Sequence, residues 1–234
     1  MIHARYLKDG KECSGTFKER SRLEGLQLLA PVKPGKIIAV GLNYLDHIKE
    51  FGNRDVPENP TLFVKLSHTV IGPGDAILLP KGYQRVDYEA ELAVVMGKHC
   101  FDIGPEEARE HILGYTCAND VTERVVQKKD GQWIRGKNYP TFCPVGPWID
   151  TDFDWSDAPI RTYLNGKIVQ DSNLKEFIWN PWQLVSFISR SMPLDKGDVI
   201  ITGTPSGVGP MDDGDEVTVE IGSLGRLTNT VGKA

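Results

Sequence analysis

The chain has 234 residues and a formal net charge of −5, with 40% hydrophobic and 25% charged residues. This composition is ordinary for a globular protein and excludes the fibrous and disordered classes. The negative net charge disfavours nucleic acid as a partner, because the phosphate backbone attracts basic surfaces.

The four cysteines, Cys13, Cys100, Cys117 and Cys143, lie far apart in the sequence. This spacing fits neither a zinc site nor a disulfide framework, and it is typical of a reducing compartment. The N-terminus lacks the apolar region of a signal peptide, and no apolar run approaches the roughly 20 residues of a membrane span. We therefore expect a soluble, cytoplasmic protein without membrane contact.

Short aliphatic runs separated by glycine and proline predict a β-rich α+β fold. Gly-Asp pairs at residues 74, 197 and 214 precede such runs, and Asn165-Gly166 predicts a hairpin with a type I′ turn. Residues 1–32 are expected to form a short N-terminal appendage, and the main body begins at residue 33. Strands are predicted over 36–40, 62–64, 89–96, 114–117, 160–164, 167–170 and 218–221, and helices over 105–113, 122–129 and 180–191.

Acidic residues alternate along the strand predicted at residue 89. Because side chains on a strand alternate between its faces, Asp87, Glu89 and Glu91 share one face. A solvent-exposed polar face explains this pattern, and so does a divalent cation that neutralises the three charges. The apolar run that follows indicates a strand buried on both faces, and buried carboxylates need a partner. The two interpretations are about equally supported by this segment.

A third acid, Asp120, ends a predicted buried strand and precedes a short helix. This is a favourable position for a metal ligand, although it is also common for a helix cap. Three carboxylates without cysteine or paired histidines favour a hard cation such as Mg²⁺ or Mn²⁺.

Candidate proton-transfer residues occur in two other segments. His47 and Glu50 are three residues apart, so a helix would place them on one face, where they form a general base pair. Lys137 follows Gly136 and has the length to reach a substrate carboxylate or carbonyl. Both features also occur on ordinary protein surfaces, so neither establishes catalysis alone.

The glycine-rich segment 203–209 follows a predicted strand but lacks the pattern of a phosphate-binding loop. Its backbone N–H groups, including that of Gly203, and the Thr204 hydroxyl are suited to a carboxylate or a developing oxyanion.

Taken in order, these segments resemble the fumarylacetoacetate hydrolase superfamily. Six motifs carry the resemblance and extend from the first strand of the main body to the glycine-rich segment. They are Gly41-Leu42-Asn43-Tyr44 with His47 and Glu50; Leu62-Phe63-Val64-Lys65; Tyr88-Glu89-Ala90-Glu91-Leu92; Ala118-Asn119-Asp120; Arg135-Gly136-Lys137; and Gly203-Thr204-Pro205-Ser206-Gly207-Val208-Gly209.

The resemblance implies a mixed β-sandwich roll over residues 33–234 and one Mg²⁺ or Mn²⁺ per subunit, held by Glu89, Glu91 and Asp120. It also implies a lid that carries His47 and Glu50, and a homodimer. Lys137 is the third implied catalytic residue. The implied substrate-binding residues are Asn43, Tyr44, Lys65, Arg124, Gln127, Gly203 and Thr204.

The resemblance further implies an enzyme that acts on small 2-oxo or 2-hydroxydienoic acids through an enolate stabilised by the metal. The reactions that share this site type are isomerisation of 2-hydroxyhepta-2,4-diene-1,7-dioate, acylpyruvate hydrolysis and oxaloacetate decarboxylation. The alternative is a non-catalytic module that binds small acids through the metal. The presence of His47, Glu50 and Lys137 argues against it, because a binding module needs no proton shuttle.

Overall fold

Strands dominate the structure, a computed structural model that describes residues 1–46 and 57–234. About 44% of the residues lie in strands and 19% in helices, which confirms the predicted β-rich α+β class. Among the described residues, no helix combines the length and apolar character required to cross a bilayer.

The largest sheet in the described part of the chain has ten strands. Its main path runs in the order β2-β1-β12-β10-β9-β15-β4-β5, with β3 paired to β1 and β6 paired to β12. With strands numbered in chain order, this sheet contains β1 (Ile2–Lys8), β2 (Lys11–Phe17), β3 (Gln27–Leu29), β4 (Ile37–Gly41), β5 (Thr61–Lys65), β6 (Val70–Ile71), β9 (Ala90–Met96), β10 (Ile112–Asn119), β12 (Cys143–Asp150) and β15 (Val199–Ile201).

Two smaller sheets complete the β structure of residues 1–46 and 57–234. The three-stranded sheet contains β8 (Val86–Tyr88), β11 (Thr122–Glu123) and β16 (Gly209–Pro210). The five-stranded sheet contains β7 (Ala76–Leu79), β13 (Pro159–Leu164), β14 (Lys167–Asn173), β17 (Glu216–Ile221) and β18 (Gly225–Lys233).

The central strand β9 is buried along its whole length, as the sequence predicted. Its Leu92 and Val94 join an apolar cluster that includes Ile160 and Val219 of the five-stranded sheet. On its opposite face, residues such as Val95 pack in a second apolar cluster with neighbouring strands of the large sheet. Hydrophobic burial on both faces therefore holds this segment rigidly in the middle of the fold.

The predicted turns are present. Each of the three Gly-Asp pairs has its glycine at positive φ, and β7, β15 and β17 each begin at the residue that follows the aspartate. Asn165 and Gly166 have φ values of 52° and 76°, as a type I′ turn requires, and they join β13 to β14.

The helices are short and lie at the edges of the sheets. They are α1 (Pro105–His111), α2 (Arg124–Asp130), α3 (Ile134–Lys137) and α4 (Pro181–Ser189), with 3₁₀ turns at Arg20–Leu23, Ser67–Thr69, Leu174–Glu176 and Gly222–Leu224.

The helix boundaries differ from the predictions by one or two residues, since α1 ends at His111 and α4 spans Pro181–Ser189. The helix expected from residue 122 begins at Arg124, because Thr122 and Glu123 pair as β11 with Asp87 and Val86 of β8. The Glu123 side chain then caps α2 by accepting a hydrogen bond from the Val126 N–H.

The first three strands of the chain form one end of the ten-stranded sheet, where β1 pairs with β12. The predicted boundary between an N-terminal appendage, 1–32, and a main body, 33–234, stays a prediction.

Candidate metal centre and substrate pocket

Three buried carboxylates converge where β9 and β10 meet. The antiparallel register pairs Ala118 with Glu91, so Asp120 emerges beside Glu89, whose carbonyl accepts the Asp120 N–H at 2.8 Å. Glu89, Glu91 and Asp120 each offer an oxygen, and these oxygens lie within 4.8 Å of one another. Three like charges at such distances need neutralisation by cations or protons.

Two lysines supply part of that positive charge. The Lys137 ammonium donates to Glu89 Oε2 and Asp120 Oδ2, both at 2.6 Å, and Lys65 donates to Asp120 Oδ1 at 2.6 Å. Lys137 reaches the site because Gly136 packs against α2, where an added Cβ would lie 2.8 Å from the Gln127 nitrogen. Burial lowers the pKa of Lys137, but Asp120 and Glu89 outweigh that effect and raise it.

Arg124, at the start of α2, links two of the acids. Its Nη2 donates to Glu89 Oε1, its Nε donates to Asp87 Oδ2 at 2.9 Å, and its Nη1 donates to Gln127 Oε1 at 2.8 Å. Burial alone would raise the pKa of Glu89, but the charges of Lys137 and Arg124 lower that pKa to about 2. Glu89 is therefore ionised across the physiological range.

Glu91 has a different environment. Its Oε2 accepts a 2.7 Å hydrogen bond from the Gly203 N–H, and it forms no ion pair with the described residues. Gly203 adopts φ +96°, and an added Cβ would lie 2.9 Å from Asn43 Cβ, so only glycine fits this approach. Burial, Asp120 and Glu89 all raise the pKa of Glu91 well above its ordinary value.

The donor set suits a divalent cation. All three side chains offer carboxylate oxygens, the ligands that Mg²⁺ and Mn²⁺ prefer, and Glu91 lacks a cationic partner among residues 1–46 and 57–234. The buried triad could therefore hold a metal ion.

A pocket of about 570 Å³ opens over the carboxylates. Its polar end contains the triad with Arg124 and Lys137. Gln127 and Thr204 line it as well, and their implied contact with substrate stays a prediction. Apolar side chains form much of the remaining wall, namely Val40, Leu42, Phe63, Val125, Trp133 and Val208. A site with one charged end and apolar walls is suited to a small organic acid.

Four residues implied in substrate binding make other contacts in this structure. Lys65 is 2% exposed, and its ammonium donates to Asp120 and to the Val121 carbonyl. Asn43 is fully buried, where its amide bonds the Thr202 and Trp179 carbonyls. Tyr44 packs against Phe177, and its buried hydroxyl has no hydrogen-bond partner among the described residues. Gly203 donates to Glu91, as described above. Direct substrate contact by these four stays a prediction.

Thr204 is positioned by a residue that sequence reasoning missed. Gln170 of β14 is buried, and its Nε2 donates to Thr204 Oγ1 at 3.0 Å and to the Pro205 carbonyl at 3.0 Å. Its Oε1 accepts from the Ala90 N–H and the Thr162 hydroxyl. A glutamine at the end of a predicted hairpin strand gives no local sign of this role.

Sequence reasoning also missed the contacts of two other residues at the site. Asp87 was placed on the acidic strand face, but its pairing with Arg85 and Arg124 was not foreseen. Trp133 lines the pocket and contacts Phe63 edge-on at 5.1 Å between ring centroids, without any sequence signal. His47 and Glu50, the predicted base pair on the lid, lie outside the described residues.

The fold and this site place the chain in a known enzyme family. The chain belongs to the fumarylacetoacetate hydrolase family, because the family model described as Fumarylacetoacetate (FAA) hydrolase C-terminal matches residues 36–232. The family resemblance and the mixed β fold expected from the sequence are thereby confirmed.

Solved structures and curated relatives agree with this assignment. The chain is 40% identical to 5-carboxymethyl-2-hydroxymuconate delta-isomerase from Mycobacterium smegmatis, with a TM-score of 0.94, covering 100% of this chain and 99% of the other. It is 36% identical to 2-hydroxyhepta-2,4-diene-1,7-dioate isomerase from Mycobacterium marinum, with a TM-score of 0.91 and coverage of 100% and 98%. It is 42% identical to oxaloacetate tautomerase fahd2, mitochondrial, from Xenopus laevis, covering 88% of this chain and 68% of that protein.

Proposed function

We propose that this protein is a Mg²⁺- or Mn²⁺-dependent isomerase or tautomerase that moves a proton next to the carbonyl of a small 2-oxo acid. The observation that carries the proposal is the buried triad of Glu89, Glu91 and Asp120 at the polar end of an otherwise largely apolar pocket. The pocket opens over the three carboxylates, whose negative charges call for a cation. A ligand that bears a carboxylate can bind that cation from the pocket.

Glu89, Glu91 and Asp120 are the residues that would hold the cation. When bound, a divalent ion supplies Lewis-acid polarisation of carbonyl and carboxylate oxygens, an effect worth several kcal/mol of charge stabilisation. The choice of Mg²⁺ or Mn²⁺ rests on the all-oxygen donor set.

Polar side chains around the triad orient the substrate. Lys137 and Arg124 place N–H donors along Glu89, and Thr204 presents a hydroxyl on the pocket wall. In the proposal these donors bind the oxygens of the 2-oxo acid, where charge develops as the proton leaves the neighbouring carbon. The rings of Phe63 and Trp133 line the same pocket, and apolar walls of this kind strengthen each charged contact beside them.

Proton transfer is favoured over C–C cleavage by the names of the relatives. The delta-isomerase and the oxaloacetate tautomerase are both named for reactions that relocate a proton without breaking the carbon chain. The base in this proposal is His47 assisted by Glu50, as the family resemblance implies.

The test is an assay of metal-dependent ketonisation of enol-oxaloacetate. The reaction is monitored by the loss of the enol's ultraviolet absorbance. Protein stripped with EDTA should be inactive and should recover activity with Mg²⁺ or Mn²⁺. The variant Glu91→Gln should not recover, whereas Glu110→Gln, at an exposed glutamate of α1, should behave as wild type.

Acetylpyruvate and a 2-hydroxy-diene-dioate complete the substrate panel. Release of acetate or CO₂ without tautomerisation would replace proton transfer by hydrolysis or decarboxylation. Activity that survives EDTA would contradict the metal-dependent scheme. Metal-dependent binding of these acids without any turnover would identify a binding module.

A further inference from the structure

Gln170 is a buried polar residue on a strand whose other residues are at least partly exposed. Within β14, which the structure describes in full, it is the one fully buried side chain, at 1% exposure. It lies opposite Thr162 in the β13–β14 hairpin, and Thr162 is also fully buried. A buried amide is costly unless its hydrogen bonds are made, so the partners of Gln170 show what holds it there.

Backbone groups fix the orientation of the Gln170 amide. The Ala90 N–H, which can only donate, lies 3.1 Å from Oε1, and the Pro205 carbonyl, which can only accept, lies 3.0 Å from Nε2. Exchanging the oxygen and the nitrogen would set donor against donor and acceptor against acceptor. The Thr162 hydroxyl donates to Oε1 as well, at 2.6 Å. The nitrogen of Gln170 therefore faces Thr204 as a donor.

This orientation decides the polarity of the Thr204 hydroxyl. Gln170 Nε2 lies 3.0 Å from Thr204 Oγ1, and an amide nitrogen donates hydrogen bonds but does not accept them. The Thr204 oxygen accepts this bond, so the hydroxyl proton is left for another acceptor. Within residues 1–46 and 57–234 that proton has no acceptor, and Thr204 lines the pocket. An oxygen of a ligand in the pocket supplies the acceptor that the proton lacks.

The same amide ties the glycine-rich segment to the strand of the triad. Gln170 Oε1 binds the N–H of Ala90, the residue between two acids of the triad, while Nε2 binds a carbonyl of the segment. At the start of the same segment, the Gly203 N–H donates to Glu91. The segment that carries Thr204 is therefore anchored beside the triad at two points.

We propose that Gln170 is a positioning residue, which fixes the Thr204 hydroxyl as a hydrogen-bond donor to the pocket. This wall of the pocket then favours an oxygen that carries no proton, such as that of a carboxylate or an enolate. The proposal rests on the proposed function for the choice of a 2-oxo acid as the ligand. The hydrogen bonds that set the polarity belong to the protein alone.

The side-chain amide signals of Gln170 in nuclear magnetic resonance spectra test this hydrogen-bond pattern directly. In wild type both Nε2 protons are bonded, so both should exchange slowly with solvent. In Thr204→Val one proton loses its acceptor, so its signal should shift and exchange faster, while the other keeps the Pro205 carbonyl. Unchanged signals for both protons overturn the proposal. This measurement needs neither a ligand nor a change at Gln170.

Binding of a 2-oxo acid tests the consequence for the pocket. Calorimetry with 2-oxobutanoate and the Mg²⁺-loaded protein compares wild type, Thr204→Val, Gln170→Glu and the double variant. Thr204→Val should weaken binding roughly tenfold, as for the loss of a hydrogen bond to a charged group. Thr204→Ser, which keeps the hydroxyl, should weaken binding less than Thr204→Val.

Gln170→Glu reverses the polarity with little change of shape. A carboxyl group has at most one proton, and the Pro205 carbonyl takes it because that carbonyl can only accept. The Thr204 hydroxyl then donates to the new carboxyl group instead of to the ligand. Gln170→Glu should therefore weaken binding of 2-oxobutanoate, and adding Thr204→Val to it should change the affinity by no more than about twofold.

An exposed glutamine supplies the matched control. Gln27→Glu on β3 adds the same charge away from the pocket and should leave the affinity unchanged. If Gln170 only supported the fold, Thr204→Val would lose its full tenfold in the Gln170→Glu protein too, and that result overturns the proposal. So does a wild-type protein that does not bind 2-oxobutanoate, or a Thr204→Val variant that binds it equally well. Failure of the proposed function appears separately, as absent turnover of enol-oxaloacetate in a protein that shows this coupling in binding.

Discussion

Two buried carboxylates on the same extended segment, Asp87 and Glu91, differ in how the protein balances their charge. Asp87 accepts hydrogen bonds from the guanidinium groups of Arg85 and Arg124, one on each oxygen. Glu91 accepts the backbone N–H of Gly203 and forms no ion pair within the described residues. Both acids line the pocket, and both are almost completely buried.

The difference separates an acid whose charge the protein balances from one whose charge it leaves unpaired among the described residues. Two cationic partners offset the free-energy cost of burying the Asp87 carboxylate. A single backbone amide donor does not offset that cost for Glu91. The cost is met only when a cation or a proton is added. Glu91, flanked by Glu89 and Asp120, is therefore the carboxylate whose environment is incomplete without a ligand.

The largest expected effect comes from Glu91→Gln, which removes the charge and keeps an acceptor for the Gly203 N–H. We expect metal affinity and metal-dependent turnover to fall by more than about 100-fold, beyond the ~10–100-fold typical of residues behind metal ligands. Calorimetric Mn²⁺ binding and the enol-oxaloacetate assay measure the two losses.

The same variant should stabilise the metal-free protein. Because the folded-state pKa of Glu91 lies above its ordinary value of 4.5, the native state binds an extra proton, and stability falls as pH rises above that value. The melting temperature of metal-free Glu91→Gln should therefore exceed that of wild type by a margin that grows from pH 5 to pH 7. An equal difference in melting temperature at all pH values would contradict a raised pKa for Glu91.

Asp87→Asn is expected to act on stability. The substitution removes the negative charge that pairs with two arginines in a buried site. We expect it to lower the free energy of unfolding by about 3 kcal/mol. Urea denaturation measures this cost. The control is Asp171→Asn, which breaks an exposed ion pair with Arg161 and should cost far less, because solvent screens exposed charges. Similar costs for both variants would show that the two arginines do not balance the charge of Asp87.

Thr204→Val tests the side of the pocket next to Gly203. The isosteric change removes the hydroxyl, while Gln170 Nε2 keeps the Pro205 carbonyl as an acceptor. We expect kcat/KM to fall roughly tenfold, as for one hydrogen bond to a charged substrate group, with little change in melting temperature. Unchanged kcat/KM would remove Thr204 from the substrate contacts.

The smallest expected effect concerns the back of the carboxylate cluster. Cys143 lies close enough to Lys65, Asp120 and Glu91 for their charges to affect it, and burial raises the pKa of its thiol to about 12. Since only the thiolate reacts, native protein at pH 8 should leave Cys143 unmodified by a disulfide reagent, while the half-buried Cys13 is accessible. Rapid modification of Cys143 in the native state would show that solvent reaches the cluster from behind.

Much of this architecture was predictable from local sequence. The Asn165-Gly166 turn, the strands that follow the Gly-Asp pairs and the two-sided burial of the segment after Glu89 all arise from preferences of neighbouring residues. Such preferences act over a few residues, so they hold before any tertiary contact forms. The family followed from six motifs in order.

The partners of the site residues depended on the tertiary structure. Asp120 joins Glu89 and Glu91 through the β9–β10 register, and Lys65 reaches Asp120 across 55 positions in sequence. Gln170 meets Thr204 only because a separate hairpin packs against the end of β9. The sequence by itself determined which residues carry charge and on which strand face they lie. The tertiary structure decided how they pair. A buried charge needs a partner within a few ångströms, and only the packed fold brings residues distant in sequence that close.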